Sequence, residues 1–288
     1  MNYKNILTIK RVKSGHWVGD GFPVITMLSY HSDGMDISPF LLLDYAGPME
    51  FPPSEQPRGV EIHPHRGFET VTIVYQGEVA HRDNAGNHGK IGPGDVQWMT
   101  AARGILHEEM HSLEFTQSGG TLEMIQLWVN LPAKDKMSDP HYQEISSKNI
   151  PTLNLENDAG TLRIIAGTYE SITGPAKTFT PLNLWDMHLK SEKFSLISVP
   201  EGHNCILLVL KGQITANKED IKEKELIIFD RSGDTISVSA KEDSIVLFMS
   251  GEAINEPIAG RGPFVMNTED EIKTAMADYA SGKFGPHF

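Results

Sequence analysis

The chain of 288 residues carries 25 Lys and Arg against 38 Asp and Glu, a formal net charge of −13. That balance excludes a dedicated nucleic-acid binder, which needs clustered cations for phosphate contacts, and equally a basic helix lying on a membrane surface. The length is near the size at which one hydrophobic core stops growing, so two domains are expected, and 39% hydrophobic against 22% charged residues fits a globular chain.

The opening segment, MNYKNILTIKRVKSG, holds no apolar run long enough for a secretory signal, and no stretch approaches the roughly 18 apolar residues of a membrane span. The single cysteine, Cys205, excludes an internal disulfide and any cysteine-based zinc or iron–sulfur site within one chain. A cytoplasmic protein is the resulting expectation, with no membrane and no direct nucleic-acid partner.

From Gly59 to Met99 short apolar-alternating runs are cut by turn signals. Val71, Ile73 and Tyr75 alternate with Thr70, Thr72 and Val74, and the turns fall at Gln76-Gly77, at 83–87 (DNAGN) and at 92–95 (GPGD). Turns this closely spaced predict an all-β sandwich or barrel. Residues 122–131 (LEMIQLWVNL) read as a further buried strand. The polar segment 132–160, with Pro132, Pro140 and Pro151, reads as the crossing between domains.

Strands then resume from Leu162 onward, and the turns Lys211-Gly212 and Ser232-Gly233-Asp234 echo those of the first half, so the second half reads as a diverged copy of it. The expected division is therefore a first barrel over 1–131, a crossing over 132–160 and a second barrel over 161–288. Only the tail reads as helix. Thr268 can cap, three acidic residues follow it, and Ile272, Met276 and Tyr279 recur at helical spacing as a face that must be buried.

Two pairs among the 12 histidines and the acids draw attention. His63 and His65 stand two apart in EIHPHRGFE, and so do His107 and Glu109 in GILHEEM. In a strand, residues two apart point to one face. Two imidazoles from one strand and an imidazole plus a carboxylate from another compose a mixed donor set with room for open positions. Such a set suits Fe(II), and less specifically Mn, Cu, Ni or Zn. Taken singly, His107 is as readily a hydrogen-bonded core histidine and Glu109 a solvated charge beside Glu108. Residues 107–111 (HEEMH) also match the His-Glu-x-x-His of zinc peptidases, with Glu108 as base. That chemistry needs a helix, whereas Gly104 precedes the motif and Ser118-Gly119-Gly120 closes it off, so His111 is expected to be dispensable. His188 and His203 stand alone and read as ordinary polar residues. Phe51, Phe68, Trp98 and Met99 are candidate pocket-lining residues.

The block from His63 to Met110, HPHRGFETVTIVYQGEVAHRDNAGNHGKIGPGDVQWMTAARGILHEEM, together with IQLWVNLP and the tail GRGPFVMNTEDEIKTAMADY, closely resembles the pirin family of the cupin superfamily. The resemblance spans most of the chain. It implies a bicupin, two cupin-type β-barrels (double-stranded β-helices) with a short C-terminal helix. It implies one metal, most often iron, in the first barrel, with His63, His65, His107 and Glu109 at the ligand positions, and a metal-free second barrel. General cupins place the acid four residues after the second histidine, which is Glu69 here; the resemblance selects Glu109 and leaves Glu69 in reserve. Bacterial members are similar to quercetin 2,3-dioxygenases, which open flavonols with O2 and release carbon monoxide, so Glu109 is expected to serve also as the catalytic base. Animal pirin resembles an iron-binding, redox-sensitive regulator that acts through protein contacts, the alternative reading for this chain.

Overall fold

The computed structural model describes residues 1–288 and confirms a nearly all-β chain. The chain forms two compact units that interleave in sequence: Met1–Lys13, Ser29–Pro39 and Lys148–Ala253 make one, and Ser14–Leu28, Phe40–Ser147 and Ile254–Phe288 make the other. A linear division at 131 and 161 misses this interleaving. The first strand and the tail are each claimed by the barrel that is remote from them in sequence, because both barrels need edge strands and covers that their own contiguous stretches do not supply. The crossing segment is not a free linker either. Its first half gives a strand to one unit and its second half a strand to the other.

The unit that carries the histidine pairs is built from β1 (His16–Val18), β2 (Phe22–Ser29), β3 (Phe40–Phe51), β4 (Gly59–His65), β5 (Phe68–Gln76), β6 (Val79–Asp83), β7 (His88–Ile91), β8 (Val96–Thr100), β9 (Ile105–His111), β10 (Gly120–Asn130) and β11 (His141–Ile145). They form two antiparallel sheets, one in the order β11-β8-β5-β10-β3-β2-β1, the other in the order β4-β9-β6-β7. One part of the interior is an apolar plug of Phe22, Val24, Ala46, Phe51, Val74, Val79, Ile91, Phe115, Leu122 and Met124. The outer face of β4 and β9, marked by Ile62 and Leu106, packs against Phe264, Ile272, Ala275 and Phe284 of the tail.

Arg66 and Gly67 turn the chain from one sheet to the other between β4 and β5. Gly67 has φ +90, and a Cβ there would lie 2.0 Å from the Val265 carbonyl oxygen, so only glycine fits this corner. The buried Lys136 secures it by donating from Nζ to the Gly67 carbonyl (2.7 Å), Asn130 Oδ1 (2.7 Å) and the Val265 carbonyl (3.0 Å). All three of its protons are thereby satisfied, which is the condition for burying an ammonium. Lys4 does the same in the other unit, donating to the carbonyls of His203, Asp230 and Arg231.

The tail helix, Glu269–Ala280, opens with the expected Thr268 cap, completed by Glu271 as a capping box. Its buried stripe differs from the expected one. Ile272 and Ala275 are buried, while Met276 is 40% exposed and Tyr279 only edges onto Phe264 and Phe284. Ala275 lies one turn from Ile272 on the same face, and its small side chain lets the helix approach closely.

The other unit repeats the plan: a seven-stranded sheet and a four-stranded one, the latter ordered Phe194–Ser198, Thr235–Ala240, Gln213–Ala216, Glu219–Lys222. The expected duplication is thus present in topology. In the strands equivalent to β4 and β9, Ile197, Ile236 and Val238 point into an apolar core that also holds Trp185 stacked on Phe248 at 4.4 Å. Aliphatic side chains occupy the interior where the first barrel carries histidines. Cys205 is buried in that core, and burial pushes its thiol up to about 12, leaving no reactive thiolate at neutral pH. No helix in the chain is long and apolar enough to cross a membrane.

Candidate metal centre

The alternation of strands brings the two pairs together. On β4, His63 and His65 share the inward face; on β9, so do His107 and Glu109. The register sets His107 opposite His63 and Ile105 opposite His65. The next pair is Glu109 with Val60, so Glu61 and Ile62 of β4 oppose Glu108 alone, a bulge that re-aims the histidine end of the strand. The ring centroids of His63, His65 and His107 are 4.8, 4.2 and 4.9 Å apart, and one nitrogen from each lies within 4.8 Å of the others.

The hydrogen bonding of these rings leaves nitrogens bare. His63 Nδ1 donates to the Glu61 carbonyl at 2.8 Å, which assigns the remaining lone pair to Nε2. His65 Nδ1 and His107 Nε2 are buried with no hydrogen-bond partner. A buried polar atom without a partner costs about 1–3 kcal/mol, and two of them in one cluster call for a shared occupant. Burial holds both His65 and His107 well below the usual imidazole range, and the neighbouring rings lower them further. They are therefore neutral at pH 7, the form that binds a metal. A set of imidazole donors at one point fits a divalent transition metal.

Glu109 lies inward on the same strand, buried, but outside the three-imidazole group. Its Oε1 accepts from the Thr72 hydroxyl at 3.1 Å. Thr72 also contacts Gln126 Oε1 at 2.7 Å, and a hydroxyl has one proton. With the Gln126 amide turned over, its NH2 donates to Thr72 and leaves that proton for Glu109.

The reserve carboxylate, Glu69, is not in this cluster. It sits on β5 three residues before Thr72, hence on the opposite face of that strand, and accepts from Thr100 Oγ1 at 2.7 Å. The corner at Gly67 breaks the parity that an unbroken strand would have given. Burial pushes the Glu69 carboxyl up from 4.5 to about 7. A raised folded-state value means that stability is present below 4.5 and is lost as pH rises through about 7. We therefore expect Glu69→Gln to keep the metal and to remove a stability loss of about 3 kcal/mol between pH 4.5 and 8. Denaturant melts of both proteins at the two pH values, paired with metal analysis, check this.

His111 occupies the apolar plug. Its Nε2 donates to the Gly21 carbonyl at 2.9 Å, and its ring meets Phe51 at 4.7 Å and Phe115 at 5.2 Å. Residues 107–111 are strand, so the peptidase motif has no helix to act from. His111→Ala should leave metal content unchanged and cost on the order of 3 kcal/mol as a truncated core ring; elemental analysis and urea melts separate the two effects.

Of the four candidate lining residues, only Phe68 borders the cluster, 5.1 Å from the His65 ring. Phe51 belongs to the plug, and Trp98 and Met99 are fully buried core. Sequence reasoning missed Trp128, which meets Phe68 at 4.3 Å with the rings tilted by 32° and edges onto His65 at 5.5 Å. Half-buried Trp128 and His63 mark the open side of the site. It also missed His81, buried beside His107, although His81 and Asp83 repeat the spacing of His107 and Glu109. His188 is largely exposed and His203 half-buried, both in the other unit.

Comparison with known proteins gives the same direction. Residues 21–129 match the family described as Pirin, and residues 184–285 match the Pirin C-terminal cupin domain. A protein of Pseudomonas aeruginosa named as a candidate quercetin 2,3-dioxygenase is 53% identical over 98% of both chains. Pirin-like protein 2 of Arabidopsis thaliana is 39% identical over 93% of this chain and 81% of its own. The crystal structure of a quercetin 2,3-dioxygenase from Acinetobacter baumannii superposes with a TM-score of 0.96, at 50% identity, over 98% of this chain and 99% of that one.

Proposed function

The chain belongs to the pirin family, and on that premise we propose that it is a metal-dependent dioxygenase able to cleave flavonols such as quercetin with O2. One divalent metal, Fe(II) before Mn, Cu, Ni or Zn, would be held by His63, His65, His107 and Glu109. The observation that carries this reading is the three-imidazole cluster, in which His65 Nδ1 and His107 Nε2 are buried without partners, set beside the Phe68–Trp128 aromatic pair. The names of the Pseudomonas and Acinetobacter relatives support the flavonol as substrate class.

When bound, the metal supplies Lewis acidity to a flavonol hydroxyl and a meeting place for that substrate and O2. The chain's own residues supply the rest. Trp128 and Phe68, tilted against each other, offer an aromatic surface at the open side against which a planar flavonol can lie. Glu109 takes the hydroxyl proton, and Thr72 holds its carboxylate in place from below. The apolar plug fills part of the same barrel's interior with side chains that offer water no hydrogen bond.

An aerobic assay of the iron-loaded protein tests the proposal, with quercetin set against a panel of small aromatics. Loss of the flavonol spectrum with matching O2 uptake and carbon monoxide release is expected. A fully loaded protein that leaves quercetin untouched overturns it, and the regulator acting through protein contacts then takes its place.

A further inference from the structure

We infer that His81, backed by Asp83, is a positioning residue that dictates which nitrogen of His107 faces the imidazole cluster. The inference rests on the reading of His107 as a metal ligand and adds a device that no ligand list contains. It starts from β6, where His81 and Asp83 stand two apart and so share a face. Across the ladder to β9, His81 pairs with Glu109 and Asp83 with His107.

Asp83 is the fixed end. Its Oδ1 accepts from the backbone N–H of Ala85 and of Asn87, both at 2.9 Å, and its Oδ2 accepts from Asn87 Nδ2 at 2.8 Å. Held this way in a tight turn, the carboxylate can only accept from the neighbouring ring. His81 Nε2 lies 3.5 Å from Oδ2, so Nε2 carries the His81 proton and Nδ1 is bare. The His81 ring lies flat against Tyr142 at 5.1 Å and 16°, which fixes its plane, while the contacts of its two nitrogens with Asp83 and His107 fix which edge faces which.

His81 Nδ1 faces His107 Nδ1 at 3.4 Å. Two ring nitrogens bond only if one of them has a proton. His81 Nδ1 has none, so His107 Nδ1 donates, and the lone pair of His107 falls on Nε2. That is the atom buried without a partner in the cluster. The opposite polarity would put a proton on His107 Nε2 and block the position. A carboxylate behind a histidine behind a histidine ligand thus sets the tautomer, where metal sites more often use a single carboxylate or carbonyl for the purpose.

Long-range nitrogen–proton correlation spectra of the histidine rings in the metal-free protein read this directly, with His81→Asn used for assignment. His107 is expected in the Nδ1–H form and His81 in the Nε2–H form. His107 in the Nε2–H form overturns the inference, whatever the protein does with metal. A second measurement is Fe(II) affinity by anaerobic competition with a chelator. His81→Phe keeps the ring on Tyr142 but offers no acceptor, and should weaken binding by roughly 10- to 100-fold. His81→Asn places an amide oxygen where Nδ1 stood and should restore most of that loss. A filler role for His81 predicts the reverse order, Phe tolerated and Asn not, and that result also overturns the inference. Full metal retention by His107→Ala would strike the ligand reading instead, a failure distinguishable from either of these.

Discussion

The doubly substituted protein His63→Ala/His107→Ala should carry no stoichiometric metal, where the parent should carry one per chain. His63 and His107 sit directly opposite each other on β4 and β9, so their removal takes two of the three imidazoles and leaves His65 with a carboxylate outside the trio. A site reduced to that pair has lost most of its nitrogen donors, and affinity for a divalent transition metal falls with them. Stability should respond in step. A ligand at 100 times its dissociation constant stabilises the folded state by about 2.7 kcal/mol. The parent should therefore melt higher with metal than without, and the double variant should show no such difference. Elemental analysis of the purified proteins decides the matter; full metal content in the variant would show that the ligands are elsewhere.

Glu109→Gln should lose at least about 100-fold in turnover per bound iron, the usual worth of a positioned general base. Glutamine keeps the volume and can still accept from Thr72 through its amide oxygen, but it cannot take a proton. A carboxylate that also binds a cation is a weak base, so the substrate hydroxyl must itself be acidified by the metal for the transfer to proceed. Since Gln is also a poorer ligand, rates must be divided by measured iron. Undiminished cleavage at full iron content would assign the base to another group. Glu69 is not a candidate for that role, because it points from the opposite face of β5 into a contact with Thr100.

The histidine pairs were legible because a strand has a period of two, and any short motif on a strand inherits it. The barrels, the tail helix and its cap were legible for similar local reasons: closely spaced turns, and a Thr followed three residues later by Glu. What could not be read was register. Nothing local in GILHEEM says that His107 will face His63, or that one bulge will separate that pair from Glu109 and Val60. Trp128 looked like any apolar residue of a buried strand until pairing placed it beside Phe68, and Phe51 looked like a lining residue until it joined the plug around His111. The corner at Gly67 takes Glu69 off the face that carries the histidines, and its need for glycine comes from the Val265 carbonyl almost 200 residues along the chain. The same holds for the interleaved units, since the strand Ile6–Lys10 finds its partner in Leu226–Phe229.

The corner has a consequence for the order in which the protein is made. Arg66 exchanges backbone hydrogen bonds with the last part of the chain, its N–H reaching the Pro263 carbonyl at 3.3 Å and its carbonyl receiving the Val265 N–H at 3.0 Å. Lys136 waits on the Val265 carbonyl for its third acceptor. All four candidate ligands are synthesised within the first 109 residues, yet the corner that follows His65 is completed only by residues 263–265. At about 5–20 residues per second, the interval between the two is on the order of ten seconds or more. A nascent chain paused in that interval holds its histidines without the strand that closes the corner. Metal capture in the finished geometry would therefore have to wait for residues 263–265, and a chain cut at residue 131 would keep every candidate ligand and lack the segment that closes the corner beside them.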